Sequence, residues 1–232
     1  MTTISNSAVK ACVFDAYGTL FDVDAAARQE RESLGENWKL ISDTWRLKQL
    51  QYTWLRSLQG NYISFWNITE DALDYALETA NMQDAALKTR LMDLYYKLSC
   101  YEEIPATLKA LKNAGLKCAI LSNGGKDMLK AAVDNAGIAD LLDGIYSVED
   151  LGIYKPHPSV YQMAVDRLGL EASEISFQSS NGWDAYSAKD FGCQVIWCNR
   201  FDQAAERLPQ SPDFQIKNLS EMLPLLGIKG SE

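Results

Sequence analysis

The chain has 232 residues, of which 47% are hydrophobic, and it carries a formal net charge of −9. A chain of this length buries roughly 70% or more of its unfolded surface, so it is long enough for one or two domains with a substantial core. The acidic balance argues against nucleic acid or an anionic membrane surface as a partner, because the overall field repels both. An anionic substrate would therefore need a local cluster of Arg or Lys.

The cysteines bear on the compartment, and there are five of them: Cys12, Cys100, Cys118, Cys193 and Cys198. Their number is odd and no two have the Cys-x-x-Cys spacing, so a metal or redox site is not indicated. Buried free thiols are typical of a reducing compartment. Residues 1–10 lack the basic and apolar regions of a signal peptide, and no apolar run approaches the ~18 residues that cross a bilayer. We therefore expect a cytoplasmic protein.

Short apolar runs predict the strands of a parallel sheet. In chain order they are residues 11–14, 116–121, a weaker run at 144–148, 175–177 and 194–198. Amphipathic patterns between the later runs predict helices over residues 105–114, 127–136 and 159–168, each followed by a glycine that can terminate it. The alternation of strand and helix predicts an α/β fold with a doubly wound, Rossmann-like parallel sheet.

About 95 residues separate the first two predicted strands, which is too long for one crossover. This stretch holds four of the six tryptophans and has helical patterns throughout. Helices are predicted over residues 42–57, from near Thr69, whose side chain suits an N-cap, and over residues 84–98. We therefore predict an α/β core made of residues 1–19 and 101–232, and an inserted helical-bundle cap made of residues 20–100.

Polar residues follow the predicted strands at the ends where open parallel sheets bind ligands. These segments are Asp15, Ser122-Asn123-Gly124-Gly125, Lys155-Pro156 and Ser179-Ser180-Asn181-Gly182-Trp183-Asp184. Each segment taken alone is also explained as a turn former or a solvated surface residue. Their predicted convergence on one edge of the sheet, under the cap, favours a functional pocket.

The most informative motif is Asp15-Ala16-Tyr17-Gly18-Thr19, which directly follows the first apolar run. A glycine-containing loop at this place would present Asp15 as a carboxylate nucleophile. A loop of this form that transfers phosphoryl groups would carry a second acid two positions later, where this chain has Tyr17. The sequence therefore predicts a nucleophile without an acid partner, which suits a leaving group that needs no proton.

Two cations are candidates for binding an anion. The Lys155 ammonium, fixed by the proline after it, would balance the charge of Asp15 and of a substrate carboxylate. Arg46 shares one face of a predicted cap helix with Leu50 and Trp54, where an unpaired charge is costly. It is either a solvated arginine whose stem covers that face or an anion contact supplied by the cap.

Together these motifs resemble the haloacid dehalogenase superfamily, and more closely its type II L-2-haloacid dehalogenases. The matching segments are Asp15-Ala16-Tyr17-Gly18-Thr19-Leu20-Phe21-Asp22-Val23, Leu121-Ser122-Asn123-Gly124, Tyr154-Lys155-Pro156, Ser179-Ser180-Asn181-Gly182-Trp183-Asp184 and the cap segment 45–57. The resemblance covers nearly the whole chain. It implies hydrolysis of short L-2-haloalkanoic acids to D-2-hydroxyalkanoic acids and halide, through an aspartyl ester with inversion at C2.

The resemblance also implies the site residues. The catalytic group would be Asp15, Lys155, Asp184, Thr19, Ser179 and Asn181. The substrate- and halide-binding group would be Arg46, Asn123, Ser122, Tyr17, Leu50, Phe65, Tyr161 and Trp183. Asp15 would attack, Asp184 would activate water, Arg46 and Asn123 would accept the halide, and Ser122 would hold the substrate carboxylate. Thr19, Ser179 and Lys155 would orient Asp15 and balance its charge.

Two positions depart from the family pattern. This chain has Leu47 where many members have Gln after the cap arginine, and Gln178 where an apolar residue is usual. Neither change removes a proposed catalytic group.

The same comparison bears on metal binding. Ser179 and Asn181 stand where related phosphatases carry more negative charge for Mg²⁺, and Lys155 is the main cation of the site. We therefore expect neither metal nor cofactor.

The sequence leaves two alternatives open. One is a Mg²⁺-dependent small-molecule phosphatase of the same superfamily, against which Tyr17 counts. The other is a non-enzymatic module that binds small carboxylates in the same pocket. Separately, Phe65 and Trp183 are either ordinary core aromatics or the apolar wall of the pocket. The expected partner is a small-molecule 2-haloalkanoate, with neither nucleic acid nor membrane, and the aromatic content of the cap helices favours a homodimer through them.

Overall fold

Six parallel strands form the centre of the computed structural model, which describes residues 9–228. The strands are β1 (Ala11–Phe14), β2 (Lys117–Ser122), β3 (Gly144–Ser147), β4 (Ile175–Ser179), β5 (Gln194–Cys198) and β6 (Phe214–Ile216). Their spatial order is β3-β2-β1-β4-β5-β6, so the chain winds outward from β1 in one direction and then in the other. The predicted doubly wound α/β fold is confirmed, and its switch point lies between β1 and β4.

The central strands are buried throughout because helices flank the sheet. All four residues of β1 are buried, as are all five of β4, which includes the polar Gln178. A parallel sheet covered on both faces favours such continuous runs over alternating ones. The backbone N–H of Asp15 donates to the carbonyl of Gln178 at 2.9 Å, so β1 and β4 end side by side.

The core contains five α-helices within the described residues. They are α6 (Ile104–Asn113), α7 (Lys126–Ala136), α8 (Pro158–Leu168), α9 (Gly182–Phe191) and α10 (Met222–Leu225). The three predicted core helices match α6, α7 and α8 to within one residue at each end. Helix α9, strand β6 and helix α10 were not predicted; β6 and α10, with three and four residues, are too short for a periodic pattern. Within residues 9–228, the structure has no helix with the length and apolar character needed to cross a membrane.

The inserted region is helical, as predicted. Its elements are α1 (Ala25–Gln29), α2 (Arg31–Leu34), α3 (Trp38–Gln59), α4 (Phe65–Thr79) and α5 (Ala85–Tyr96). The prediction of Thr69 as an N-cap was wrong. The N-cap of α4 is Ser64, whose hydroxyl oxygen accepts a hydrogen bond from the backbone N–H of Asn67, and Thr69 lies fully buried inside the helix.

Two short connections join the inserted helices to the core. Phe21 and Cys100 form an antiparallel bridge, and the backbone N–H of Tyr101 donates to the carbonyl of Leu20 at 3.0 Å. The chain thus leaves and re-enters the core at one place, close to the predicted boundaries at 19/20 and 100/101. The division into core (1–19 and 101–232) and cap (20–100) stays a prediction, and its residues 1–8 and 229–232 lie outside the described residues.

Helix α5 provides a test of the cap's local stability. The Asp84 side chain is its N-cap and accepts hydrogen bonds from the backbone N–H groups of Ala86 (2.8 Å) and Leu87 (3.2 Å). We expect Asp84→Ala to lower the free energy of unfolding by about 1 kcal/mol, because both N–H groups lose that acceptor. Asp93→Ala, at an exposed position of the same helix, is the matched control. Equal urea midpoints for the two variants would contradict this assignment.

Candidate active site

Asp15 lies at the carboxyl end of β1 and is held by three donors. The Lys155 ammonium is 3.1 Å from Oδ1, while the Thr19 hydroxyl (3.0 Å) and the Asn181 amide (2.8 Å) donate to Oδ2. The loop that follows turns at Gly18, whose φ of 90° is strained for any residue with a side chain. The three donors fix the orientation of the carboxylate, and the Asp15 side chain is 9% exposed.

Lys155 lies between two carboxylates. Its ammonium contacts Asp15 Oδ1 at 3.1 Å and Asp184 Oδ2 at 2.9 Å, and its side chain is fully buried. Burial alone lowers the pKa of Lys155, but the two carboxylates outweigh it and raise the pKa above its ordinary value. Lys155 is therefore a permanent cation that separates the two acids.

Asp184 is fully buried in the first turn of α9. Its Oδ2 accepts from Lys155 and its Oδ1 accepts from the Tyr161 hydroxyl at 2.7 Å. Burial raises the pKa of Asp184, and the charge of Asp15 adds to the rise, while Lys155 opposes it. A carboxylate with a raised pKa is a stronger base than an ordinary one, so Asp184 is suited to accept a proton.

The cap contributes Arg46, which reaches across to the core from α3. Its NH2 group donates to the Tyr17 carbonyl and to the Asn181 side-chain oxygen, both at 3.1 Å. Its NH1 group donates to the Gln49 side-chain oxygen at 2.7 Å. Asn181 also donates to Asp15, so its side chain links the Arg46 guanidinium to the Asp15 carboxylate through hydrogen bonds to both.

An apolar wall adjoins these charges. The buried rings of Tyr17 and Phe65 lie 5.6 Å apart, and Trp183 packs edge-on against Trp54 at 5.4 Å. A cleft of about 370 Å³ opens beside Trp183 and is also bordered by Leu50, Arg46 and Asn181. This cleft is the route by which a small molecule would approach Asn181 and Arg46.

The outer mouth of the cleft carries more acidic than basic side chains. Its lining includes the acids Asp24, Asp43 and Glu206 and the bases Lys39 and Arg46, together with Leu47 and Phe201. Lys39 pairs with Asp43 in the same helix, so the charges of these two side chains compensate each other. Leu47, which departs from the family pattern, is 60% exposed and belongs to this mouth.

Three of the predicted polar residues contact backbone groups of the site. The Ser122 hydroxyl accepts from the N–H of Gly124 (3.0 Å), and the Asn123 side-chain oxygen accepts from the N–H of Lys155 (2.9 Å). The Ser179 hydroxyl accepts from the N–H of Asn181 (3.1 Å), so its link to Asp15 runs through Asn181. The sequence did not indicate these bonds, because they depend on the exact course of three loops.

Sequence reasoning missed one group of site residues. Gln49, Thr69 and Tyr95 form a buried hydrogen-bonded group behind Arg46. The available signal was the spacing of Gln49, three residues after Arg46 and therefore on the same helical face. The partners on other helices could not be found from spacing.

The donors around Asp15 do not fit a divalent cation. Mg²⁺ requires oxygen ligands, whereas Asp15 faces an ammonium and the hydrogens of an amide and a hydroxyl. The Lys155 ammonium occupies the position between Asp15 and Asp184 that such an ion would need. In residues 9–228 there is also no cluster of three His, Cys, Asp or Glu side chains with metal-binding geometry.

Comparison with known proteins identifies the family. A model of the haloacid dehalogenase-like hydrolases matches residues 9–192. The chain belongs to this family. (S)-2-haloacid dehalogenase 1 of Pseudomonas sp. (strain CBS-3) is 43% identical over 219 residues, which cover 94% of this chain and 96% of that protein. The predicted family resemblance is therefore confirmed.

Solved structures agree with this family assignment. A crystal structure of a dehalogenase with an intermediate complex has a TM-score of 0.93 and 42% identity, covering 97% of this chain and 99% of that one. The L-2-haloacid dehalogenase of Xanthobacter autotrophicus, with chloropropionic acid covalently bound, has a TM-score of 0.88 and 36% identity, covering 94% and 98%. This haloacid dehalogenase-like hydrolase thus shares its fold with a dehalogenase solved with an intermediate complex and with one solved with chloropropionic acid covalently bound.

The buried Lys155 provides a stability test. Lys155→Met leaves two buried carboxylates without their cation, so we expect the free energy of unfolding at pH 8 to fall by about 3–5 kcal/mol. Losing the ammonium raises the pKa of Asp184 further in the folded state, so the penalty applies above its ordinary value of 3.8 and shrinks as pH falls toward it. Urea unfolding at pH 8 and pH 5.5 measures both effects.

The matched control for this test is Lys189→Met. Lys189 pairs with Asp213 at 2.7 Å near the surface, where an ion pair contributes about 1 kcal/mol or less. A Lys155→Met variant that is no less stable than Lys189→Met at pH 8 would contradict the role of Lys155 as the cation between the acids.

Proposed function

We propose that this protein hydrolyses short L-2-haloalkanoic acids to D-2-hydroxyalkanoic acids and halide. The observation that supports it is the pairing of a fixed carboxylate, Asp15, with a cap guanidinium, Arg46, beside an apolar wall. The names of its relatives, (S)-2-haloacid dehalogenase and L-2-haloacid dehalogenase, favour the same activity over the phosphatase alternative and over a binding module.

In the proposed first step, the Asp15 carboxylate attacks C2 of the substrate from behind. A bond forms between an Asp15 oxygen and C2, the carbon–halogen bond breaks, and the halide leaves with the bonding electrons. Attack from behind inverts C2, which converts an L substrate into a D product. The Thr19, Asn181 and Lys155 donors hold the carboxylate for this attack, and Ser179 fixes the loop through the Asn181 backbone.

We assign the halide to Arg46 and Asn123. The Asn123 oxygen is occupied by the Lys155 N–H, so its amide hydrogens are the groups left for an anion. Ser122 is assigned to the substrate carboxylate on similar grounds, because its oxygen accepts from Gly124 and its hydroxyl hydrogen is left to donate. Tyr17, Leu50, Phe65 and Trp183 would enclose the carbon chain.

The absence of an acid next to the nucleophile agrees with a halide as the leaving group. An alkoxide released from a phosphate ester needs a proton, and a halide does not. The residue in the position of the acid is Tyr17, and burial raises its pKa well above the ordinary value, with Tyr95 adding to the rise. Tyr17 is therefore a poor proton donor, which counts against phosphatase chemistry.

In the proposed second step, water attacks the carbonyl carbon of the Asp15 ester. Asp184, whose carboxylate is held in place by Tyr161 and Lys155, accepts a proton from that water. The bond between the carbonyl carbon and the bridging oxygen breaks, and that oxygen leaves in the product with a proton. The donors already directed at Asp15 would stabilise the negative charge that develops on the carbonyl oxygen.

Isotopic labelling tests the ester. In a single turnover of 2-chloropropionate in ¹⁸O-water with enzyme in excess, we expect label in Asp15 and none in the product, because the product oxygen comes from the carboxylate. Later turnovers with excess substrate should give labelled product, which serves as the control. Immediate labelling of the first product would exclude the covalent step.

A comparison of two assays separates this function from that of a phosphatase. We expect full activity on 2-chloropropionate in EDTA and no hydrolysis of p-nitrophenyl phosphate in the presence of Mg²⁺.

The raised pKa of Asp184 leads to a second prediction. A base works only when it is deprotonated, so the rate of ester hydrolysis should fall as pH decreases through a pKa above the ordinary 3.8. Asp184→Asn should accumulate the alkylated enzyme, seen as added mass on the Asp15 peptide, and should remove this pH dependence of ester hydrolysis. A variant that turns over at the normal rate would exclude Asp184 as the base.

We also propose a cytoplasmic location. All five cysteines are free, and four of them are buried, which suits a reducing compartment.

A homodimer through the cap helices is proposed on the apolar face of α3. Leu40, Leu47 and Leu58 are spaced by near-whole helical turns and are 52%, 60% and 85% exposed. We expect light scattering to give the mass of a dimer for the wild type and of a monomer for Leu58→Glu. The control is Leu208→Glu, which changes an exposed leucine outside α3 and should stay dimeric. A monomeric wild type would contradict the dimer.

A further inference from the structure

Behind Arg46 lies a buried chain of hydrogen bonds that connects three cap helices. The Gln49 side-chain oxygen accepts from Arg46 NH1 at 2.7 Å. The Gln49 amide nitrogen donates to the Thr69 hydroxyl at 2.7 Å and to the Tyr95 hydroxyl at 3.1 Å. Gln49 is 1% exposed and Thr69 is fully buried. Water therefore does not substitute for these partners.

The orientation of the Gln49 amide is determined by Thr69. The Thr69 hydroxyl donates its single hydrogen to the carbonyl of Phe65 at 2.7 Å, so it can only accept from Gln49. The amide nitrogen of Gln49 must then point to Thr69, and its oxygen must point to Arg46. The guanidinium thus meets an acceptor whose direction is set by a residue on another helix, α4.

Arg46 is held by neutral acceptors. Besides Gln49, its NH2 group donates to the Tyr17 carbonyl and to the Asn181 side-chain oxygen. Arg46 is half-buried, and a carboxylate partner there would fix its position but would also cancel its charge. Amide and carbonyl oxygens fix the guanidinium and leave its positive charge available to another anion.

Tyr95 connects this group to the pocket wall. Its ring is stacked on that of Tyr17 at 5.7 Å with an interplanar angle of 12°, and the Tyr17 carbonyl is an acceptor for Arg46. Burial raises the pKa of Tyr95, while Arg46 opposes the rise, so the phenol stays neutral at physiological pH. The chain of bonds therefore adds no negative charge near the guanidinium.

We propose that Gln49 is a positioning residue that, with Thr69 and Tyr95, directs the Arg46 guanidinium at the departing halide and keeps its charge uncompensated. This inference rests on the proposed dehalogenation. It concerns the alkylation step alone, because the halide leaves before water attacks the ester.

Deleting the acceptor tests the positioning. Gln49→Leu should slow alkylation of Asp15 by (S)-2-chloropropionate by roughly 10- to 100-fold, because Arg46 loses a charge-assisted hydrogen bond and its fixed direction. Hydrolysis of the ester should keep its wild-type rate, and KM should change little. Rapid-quench mass spectrometry of the Asp15 peptide measures the two steps separately.

A matched pair of threonines separates positioning from packing. Thr69 and Thr53 are both fully buried, and each donates its hydroxyl to a carbonyl of its own helix at 2.7 Å. They differ in that Thr69 also accepts from Gln49. Thr69→Val should slow alkylation in the same way as Gln49→Leu, although less, whereas Thr53→Val should leave both steps unchanged.

A charge reversal tests the second half of the proposal. Gln49→Glu places a carboxylate beside Arg46, so inhibition of the enzyme by added bromide should weaken at least ~10-fold. Gln49→Leu leaves the charge of Arg46 uncompensated, so bromide inhibition should weaken less in this variant than in Gln49→Glu.

Three outcomes would overturn the inference. One is a Gln49→Leu variant that alkylates at the wild-type rate, and another is a variant that loses both chemical steps equally, which indicates a purely structural role. The third is bromide inhibition of Gln49→Glu that matches the wild type. An inactive wild type would instead overturn the proposed function, and this inference with it.

Discussion

The site depends on one buried ammonium between two carboxylates. Asp15 follows β1 and Asp184 lies in the first turn of α9, and without Lys155 they would be two like charges in a water-poor environment. The cation allows both acids to stay close, although their proposed tasks differ. Asp15 is held by donors on both oxygens as a nucleophile, whereas Asp184, fully buried and bonded to Tyr161, has the raised proton affinity of a base.

The cap completes this arrangement with a second cation. The core supplies the two acids and Lys155, and α3 supplies Arg46, which contacts the core at the Tyr17 carbonyl and at Asn181. Arg46 and Asn181 belong to different parts of the chain, so their 3.1 Å contact depends on how α3 packs on the core. The geometry of the proposed halide site is therefore set by how the cap packs on the core, and by the buried group behind the arginine that limits its freedom.

The sequence was sufficient for the fold and for the identity of the polar segments near Asp15. Apolar runs located β1, β2, β4 and β5, because strands buried on both faces have a continuous signal. The sequence-based prediction failed at Thr69, because a threonine before acidic residues resembles an N-cap. In the structure Thr69 is buried inside α4, and Ser64 is the N-cap. The Thr69 hydroxyl instead accepts from Gln49.

The contacts within the site could not be predicted in the same way. The roles of Ser122 and Ser179 as acceptors of backbone N–H groups depend on loop conformations that spacing does not specify. Gln49 was missed because its importance comes from partners 20 and 46 positions away in sequence. Short-range patterns thus locate charged and nucleophilic groups, while the neutral groups that orient them become visible only in three dimensions.

The acidic mouth of the cleft has a consequence for how quickly substrate is captured. A haloalkanoate anion, the proposed substrate, approaches a molecule of net charge −9 and passes Asp24 and Glu206 before it meets Arg46, since the charge of Asp43 is compensated by Lys39. Dissolved salt screens such repulsion over about 8–10 Å at physiological ionic strength. Capture should therefore accelerate as ionic strength rises, opposite to the behaviour of enzymes whose field attracts their substrate, and anionic products are expelled by the same field.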